Sequence, residues 1–93
     1  MEQTNRALSR RLKIKNELGL HARPAAKIAE LAKTARSPVW IVKDGEKIDA
    51  ASVMDILTLA CFQGTEILVQ IENKADLAVL EGIGALVDGG FGE

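Results

Sequence analysis

The stretch Val39-Trp40-Ile41-Val42-Lys43-Asp44-Gly45-Glu46-Lys47-Ile48-Asp49-Ala50 decides the fold. A β-branched and aromatic run over 39–42 meets Asp44-Gly45, a dipeptide suited to a two-residue hairpin turn. Residues 47–50 then read as a short return strand, so the middle of the chain is an antiparallel pair. Upstream, Leu12-Lys13-Ile14-Lys15 alternates apolar and polar residues, the pattern of a half-buried strand. Downstream, Glu66-Ile67-Leu68-Val69-Gln70-Ile71-Glu72 is the clearest strand of all. Helical patterns separate these strands. Over 25–35, Ala25, Ile28, Ala29, Ala32 and Ala35 fall at helical spacing with Leu31 beside them. Lys27, Glu30 and Lys33 decorate the other side, and Ser37-Pro38 ends the run. A second helix is expected over 53–62, stopped near Gly64. A third is expected over 74–87, carrying Leu77, Val79, Leu80, Ile83 and Leu86. Gly82 and Gly84 cost that helix about 1 kcal/mol each against alanine, which packing must offset. The order βαββαβα points to two layers, with helices covering one face of a sheet.

Ninety-three residues allow one small domain, burying about 60–65% of the surface that the unfolded chain exposes. An apolar content of 47% is that of a globular protein and argues against disorder. A single cysteine excludes an internal disulfide and offers no metal-ligand spacing. Cys61 follows Ile56-Leu57-Thr58-Leu59-Ala60, so a buried thiol is expected. Residues 1–10 read as a polar tail and 11–93 as the folded domain. The tail lacks the apolar core of a signal peptide, and no stretch approaches the length of a membrane span. A cytoplasmic protein with no membrane insertion is the expectation. Net charge is −1, unevenly spread: residues 1–47 hold eleven Lys/Arg against five Asp/Glu, and residues 48–93 one lysine against eight acids. A basic half suits phosphate chemistry and an acidic partner surface. Few aromatics and no Arg-rich run argue against nucleic-acid binding.

His21, the only histidine, lies in Gly19-Leu20-His21-Ala22-Arg23-Pro24-Ala25. Pro24 fits the first turn of a helix, where its missing N–H costs nothing. His21 therefore stands at or just before a helix N-terminus, whose unpaired N–H groups and positive dipole end attract anions. Arg23 adds a permanent cation two residues on. A nucleophilic nitrogen, a guanidinium and a helix N-terminus together suit a phosphoryl group, although a lone histidine at a helix start often serves only as a cap. An independent enzyme fits poorly, because no second catalytic base, metal cluster or Gly-rich nucleotide loop is present.

Four segments in order carry a resemblance: Gly19-Leu20-His21-Ala22-Arg23-Pro24-Ala25, Ala51-Ser52-Val53-Met54, Gly64-Thr65-Glu66-Ile67 and Gly90-Phe91-Gly92-Glu93. They resemble the HPr family, the histidine phosphocarriers of the phosphoenolpyruvate-dependent phosphotransferase system, from about residue 11 to 93. The resemblance implies an α+β open-faced sandwich: a four-stranded antiparallel sheet in order 1-4-2-3, covered on one face by three helices. It implies a monomeric phosphocarrier that needs no cofactor or metal. His21 would be phosphorylated at Nδ1 by Enzyme I using phosphoenolpyruvate, then pass the group to enzyme IIA domains for sugar uptake or regulation. Arg23 would stabilise charge in transfer, and Pro24 would fix the helix start. Ala22, Ala26, Lys27, Val53, Met54 and Leu57 would form the docking patch, with Arg23, Lys27 and Lys33 on its rim. The alternative is a regulatory module of the same fold, acting through protein contacts and Ser52 phosphorylation.

Ser52 has two readings. With Asp55 three residues on, it resembles a capping box, in which the serine oxygen accepts from the N3 amide and the carboxylate reaches back. It also matches the family's regulatory serine, the substrate of HPr kinase/phosphorylase, although the Asp55 charge would oppose a phosphoserine. Leu18 departs from the small polar residue that many sugar-system members carry there. Asn16-Glu17-Leu18-Gly19 is similar to the nitrogen-related branch.

Overall fold

Asp44 and Gly45 both adopt positive φ, 50° and 81°, as a two-residue hairpin turn requires. They join β2 (Trp40–Lys43) to β3 (Glu46–Asp49) in the computed structural model, which describes residues 8–93. β1 (Ser9–Lys13) and β2 both pair antiparallel with β4 (Glu66–Gln70), placing Leu12 opposite Ile67 and Ile41 opposite Val69. The sheet order is β1-β4-β2-β3, the order that the resemblance implied. Three helices lie on one face: α1 (Ala22–Ala32), α2 (Val53–Thr58) and α3 (Leu77–Asp88). Leu12, Ile14, Ile41, Ile67, Val69 and Ile71 point from the sheet into the core, where they meet Ile28, Ile56, Leu80 and Ile83. Each such side chain stabilises the fold by about 1.5–3 kcal/mol over leaving it in water.

Alternation sends Arg11, Lys13, Trp40, Val42, Leu68 and Gln70 to the opposite face, which no helix among the described residues covers. Trp40 is held there by the Lys47 ammonium, 4.8 Å from the ring centre, and donates its indole N–H to Glu72 Oε2 (2.9 Å). A cavity of about 300 Å³ beside Trp40 and Lys47 also lies on this side.

Tertiary bonds moved several boundaries. β1 begins before 12–15, because Ser9 and Arg10 find partners in Gln70 and Val69. Of the residues read as a polar tail, 1–7 lie outside the described residues, and Ser9 and Arg10 belong to β1. α1 ends at Ala32, short of 35, because the buried Asp76 carboxylate accepts from Arg36 N–H (2.8 Å) and Ser37 N–H (3.0 Å). α3 begins at Leu77 after a 3₁₀ turn, Lys74–Asp76, that Asn73 Oδ1 caps by accepting from Ala75 N–H (2.8 Å). α2 stops at Thr58, four residues before the expected end. There Ala60 turns to φ 54°, and the Lys43 ammonium donates to Leu59 O (2.7 Å) and Ala60 O (3.2 Å). Gly82 and Gly84 have their offset: a Cβ at either would lie 3.1 Å from the Leu31 or Arg10 side chain packed against α3.

Candidate functional site

The segment from β1 to α1 presents His21 through a chain of backbone hydrogen bonds. Ile14 N–H donates to Thr65 O (2.8 Å), and Gly19 N–H turns back to Asn16 O (3.1 Å). Leu20 N–H then donates to Cys61 O (2.9 Å), which ties the loop to the segment beyond α2. Gly19 is required here. Its φ is 69°, and a Cβ would stand 2.3 Å from Cys61 O. His21 itself is the extended N-cap of α1, with φ −85° and ψ −167°, and its side chain makes no capping bond. Its carbonyl accepts from Ala25 N–H (3.0 Å), so Ala22, Arg23 and Pro24 form the first turn. Pro24 is buried there with no N–H to satisfy, leaving the amides of Ala22 and Arg23 at an outward-facing helix end.

The imidazole is partly exposed and engaged on one side only. His21 Nε2 lies 2.9 Å from Glu93 Oε2, whereas Nδ1 has no partner among the described residues. The other carboxylate oxygen, Oε1, accepts from Asn16 Nδ2 (3.0 Å), which also donates to Gly19 O (2.7 Å). Asn16 is only 6% exposed, and its Oδ1 is buried with no partner among the described residues. An unmet buried acceptor costs about 1–3 kcal/mol. The Glu93 carboxyl is held below its ordinary value, first by the Asn16 bond, then by the His21 bond and the charges of His21 and Arg23, against an opposing desolvation.

Glu93 reaches the ring through a sharp turn. Gly90, Phe91 and Gly92 all have positive φ, 63°, 59° and 75°, and Phe91 is buried. A left-handed non-glycine residue costs about 1–2 kcal/mol, which burial of the phenyl ring offsets. Lys27 Nζ donates to Phe91 O (3.0 Å) and braces the turn from α1.

Arg23 and Ala22 are exposed on the first turn of α1, and Ala26 is half-buried one turn on. Met54 is 71% exposed and Leu57 36%, on the helix that packs against α1, while Val53 leans into the core. Two apolar residues that the sequence did not single out for docking are also exposed: Leu18 at 70% and Phe62 at 69%. They flank the contact of Gly19 with the Cys61-Phe62 backbone. Ser52 is the N-cap of α2, and its Oγ accepts from Asp55 N–H (3.1 Å). The reciprocal half of the box does not form, because Ser52 N–H donates to Asp49 O (3.1 Å) instead. Cys61 is buried, and desolvation raises its thiol pKa, with Lys43 opposing and Asp44 adding. Asn16 and Glu93 are the site residues to which the sequence alone assigned no role. Asn16 entered only through the resemblance of Asn16-Glu17-Leu18-Gly19, and Glu93 only as the last residue of Gly90-Phe91-Gly92-Glu93.

A family model described as the PTS HPr component phosphorylation site matches residues 8–88. The chain belongs to the HPr phosphocarrier family. Phosphocarrier protein NPr of Shewanella violacea is 41% identical over 86 residues, covering 92% of this chain and 94% of that one. Phosphocarrier protein HPr of Neisseria meningitidis serogroup A is 31% identical over 86 residues, 92% of this chain and 97% of its own. The crystal structure of HPr from Thermoanaerobacter tengcongensis superposes with a TM-score of 0.85 at 34% identity, covering 91% of this chain and 96% of that one. Among the described residues, no helix is long and apolar enough to cross a membrane.

Proposed function

We propose that His21 accepts a phosphoryl group at Nδ1 from phospho-Enzyme I and passes it to enzyme IIA domains, as a monomeric cytoplasmic carrier. The observation that carries this reading is the partly exposed imidazole at the N-terminus of α1, with Nε2 engaged by Glu93 and Nδ1 without a partner among the described residues. The Ala22 and Arg23 amides supply donors for the incoming oxygens, and the Arg23 guanidinium supplies charge. A shallow site of this kind holds phosphate without trapping it, which a carrier needs. Ala22, Ala26, Met54 and Leu57 form the docking patch, with Val53 at its edge and Leu18 and Phe62 extending it. Lys27 serves the patch through its stem, since its ammonium is committed to Phe91 O. Small apolar interfaces of this sort suit partners that exchange quickly. Exposed Leu18 in Asn16-Glu17-Leu18-Gly19 favours the nitrogen-related, regulatory branch over sugar uptake.

Incubation with Enzyme I and radiolabelled phosphoenolpyruvate tests the reading. Acid-labile label on His21, absent from H21A, is the expected result. A wild-type chain that takes no label refutes it. Ser52 acts first as a helix cap; its place at the N-terminus of α2, where a phosphate's charge is tolerated, supports phosphorylation by HPr kinase/phosphorylase as a second reading. A Ser52 phosphopeptide after treatment with that kinase and ATP would establish the regulatory role, and its absence would leave only the cap.

A further inference from the structure

Asn16 has an arrangement that a purely structural asparagine would avoid. Among the described residues, both of its side-chain hydrogen bonds use Nδ2, to Gly19 O and Glu93 Oε1, while Oδ1 is buried and unmet. Turning the amide over would aim Oδ1 at two other acceptors, so the orientation is fixed by its neighbours. The unmet acceptor is what remains when both N–H bonds are made. One of those bonds has a target outside the loop: the carboxylate that touches His21.

We propose that Asn16 and Glu93 are positioning residues for phosphoryl exchange. Asn16 clamps the Glu93 carboxylate against His21 Nε2, so that the neutral ring keeps its proton on Nε2 and offers an unprotonated Nδ1. This rests on the phosphocarrier reading of His21.

The chemistry follows from donor and acceptor counts. An ionised carboxylate only accepts, so the ring nitrogen 2.9 Å from it must be the N–H. A ring turned over would place carbon Cε1 against the carboxylate and lose the bond. With Nε2 protonated, the Nδ1 lone pair forms the N–P bond, and the donor's leaving group departs with the electrons of the bond that breaks. The Nε2 proton stays, and the neutral ring becomes an imidazolium beside the Glu93 carboxylate. On transfer to the acceptor, the N–P electron pair returns to Nδ1 and the ring is neutral again. No proton has to move. The carboxylate, kept ionised by Asn16 and by the charge of Arg23, offsets the positive charge as it develops. The turn at Gly90–Gly92, anchored by Phe91 and Lys27, sets the distance.

The test compares wild type with E93Q and N16A, and uses E93D as the conservative variant. Imidazole ¹⁵N shifts are recorded near pH 9, where an ordinary histidine is neutral. Initial rates of phosphoryl uptake from Enzyme I and phosphoenolpyruvate are measured beside them, with far-UV circular dichroism to confirm folding. Wild type should show the Nε2–H tautomer. E93Q and N16A should show a tautomer mixture and take up phosphate about 10–100-fold more slowly, the scale of loss known when a partner that orients a metal-bound histidine is removed. E93D should recover part of both. Unchanged tautomer in folded E93Q and N16A overturns the clamp, and a changed tautomer with unchanged uptake overturns its role in exchange. If wild type takes no phosphate, the carrier reading has failed, and the tautomer alone still decides whether the clamp exists.

Discussion

Replacing Gly19 by alanine tests how rigidly the loop must hold His21. Two costs add. The φ of 69° is left-handed, and alanine there loses about 1–2 kcal/mol, less about 0.4–1 kcal/mol recovered because alanine restricts the unfolded chain. The added Cβ would also stand 2.3 Å from Cys61 O and 3.0 Å from Phe62 Cα, both backbone atoms that cannot swing aside. Relief requires the loop to withdraw, which breaks the Leu20 N–H to Cys61 O bond (2.9 Å) at about 1 kcal/mol, plus lost contact. The sum is about 2–3 kcal/mol. In a domain of this size it lowers Tm by about 10–20 °C. Gly64 supplies the control, since its φ is 90° but nothing lies within 4 Å of its Cβ position. G64A should therefore lose only the conformational part, about 1 kcal/mol or less. Urea unfolding of both variants, followed by circular dichroism, measures the difference. Equal destabilisation of G19A and G64A would refute the claim that the Cys61 carbonyl enforces the loop.

Three further outcomes are expected. Glu93 has a depressed pKa in the fold, so the unfolded chain binds the proton first, and the group's contribution is lost as pH falls from its ordinary 4.5 through the lower folded value. E93Q should flatten that acid limb, read as urea midpoints between about pH 3 and 7; an unchanged limb would contradict the Asn16 and His21 bonds. D76N removes one of the two carboxylate oxygens serving Arg36 and Ser37, and should cost about 2–3 kcal/mol in urea unfolding. A60G relieves a φ of 54° and, after the entropy that glycine adds to the unfolded chain, should stabilise by about 0.5 kcal/mol in the same assay.

The hairpin was legible because its instructions are local: Asp44-Gly45 demands positive φ, and the flanking runs suit strands. The placing of His21 was also local, since Pro24 restricts the helix start to its own vicinity. The end of α2 was not. Leucine and alanine at 59–60 favour continued helix, and the reversal at Ala60 serves Cys61, whose carbonyl must meet Leu20 from 41 positions upstream. Asp76 ended α1 in the same way, across forty residues of sequence. Lys27 reads as a charged rim on any helical projection, yet a carbonyl 64 residues away claims its ammonium. Asn16 and Glu93 meet only once the fold is closed, 77 positions apart.

Trp40 is the only tryptophan, and it sits between Lys47 and Glu72 on the sheet face that no described helix covers, across the sheet from the helix whose N-cap residue carries the imidazole. Its emission is thus a clean optical gauge of sheet integrity and a poor witness to events at the ring. Fluorescence titrations of partner docking on the helical side would need an introduced label, whereas the native indole suffices for unfolding curves.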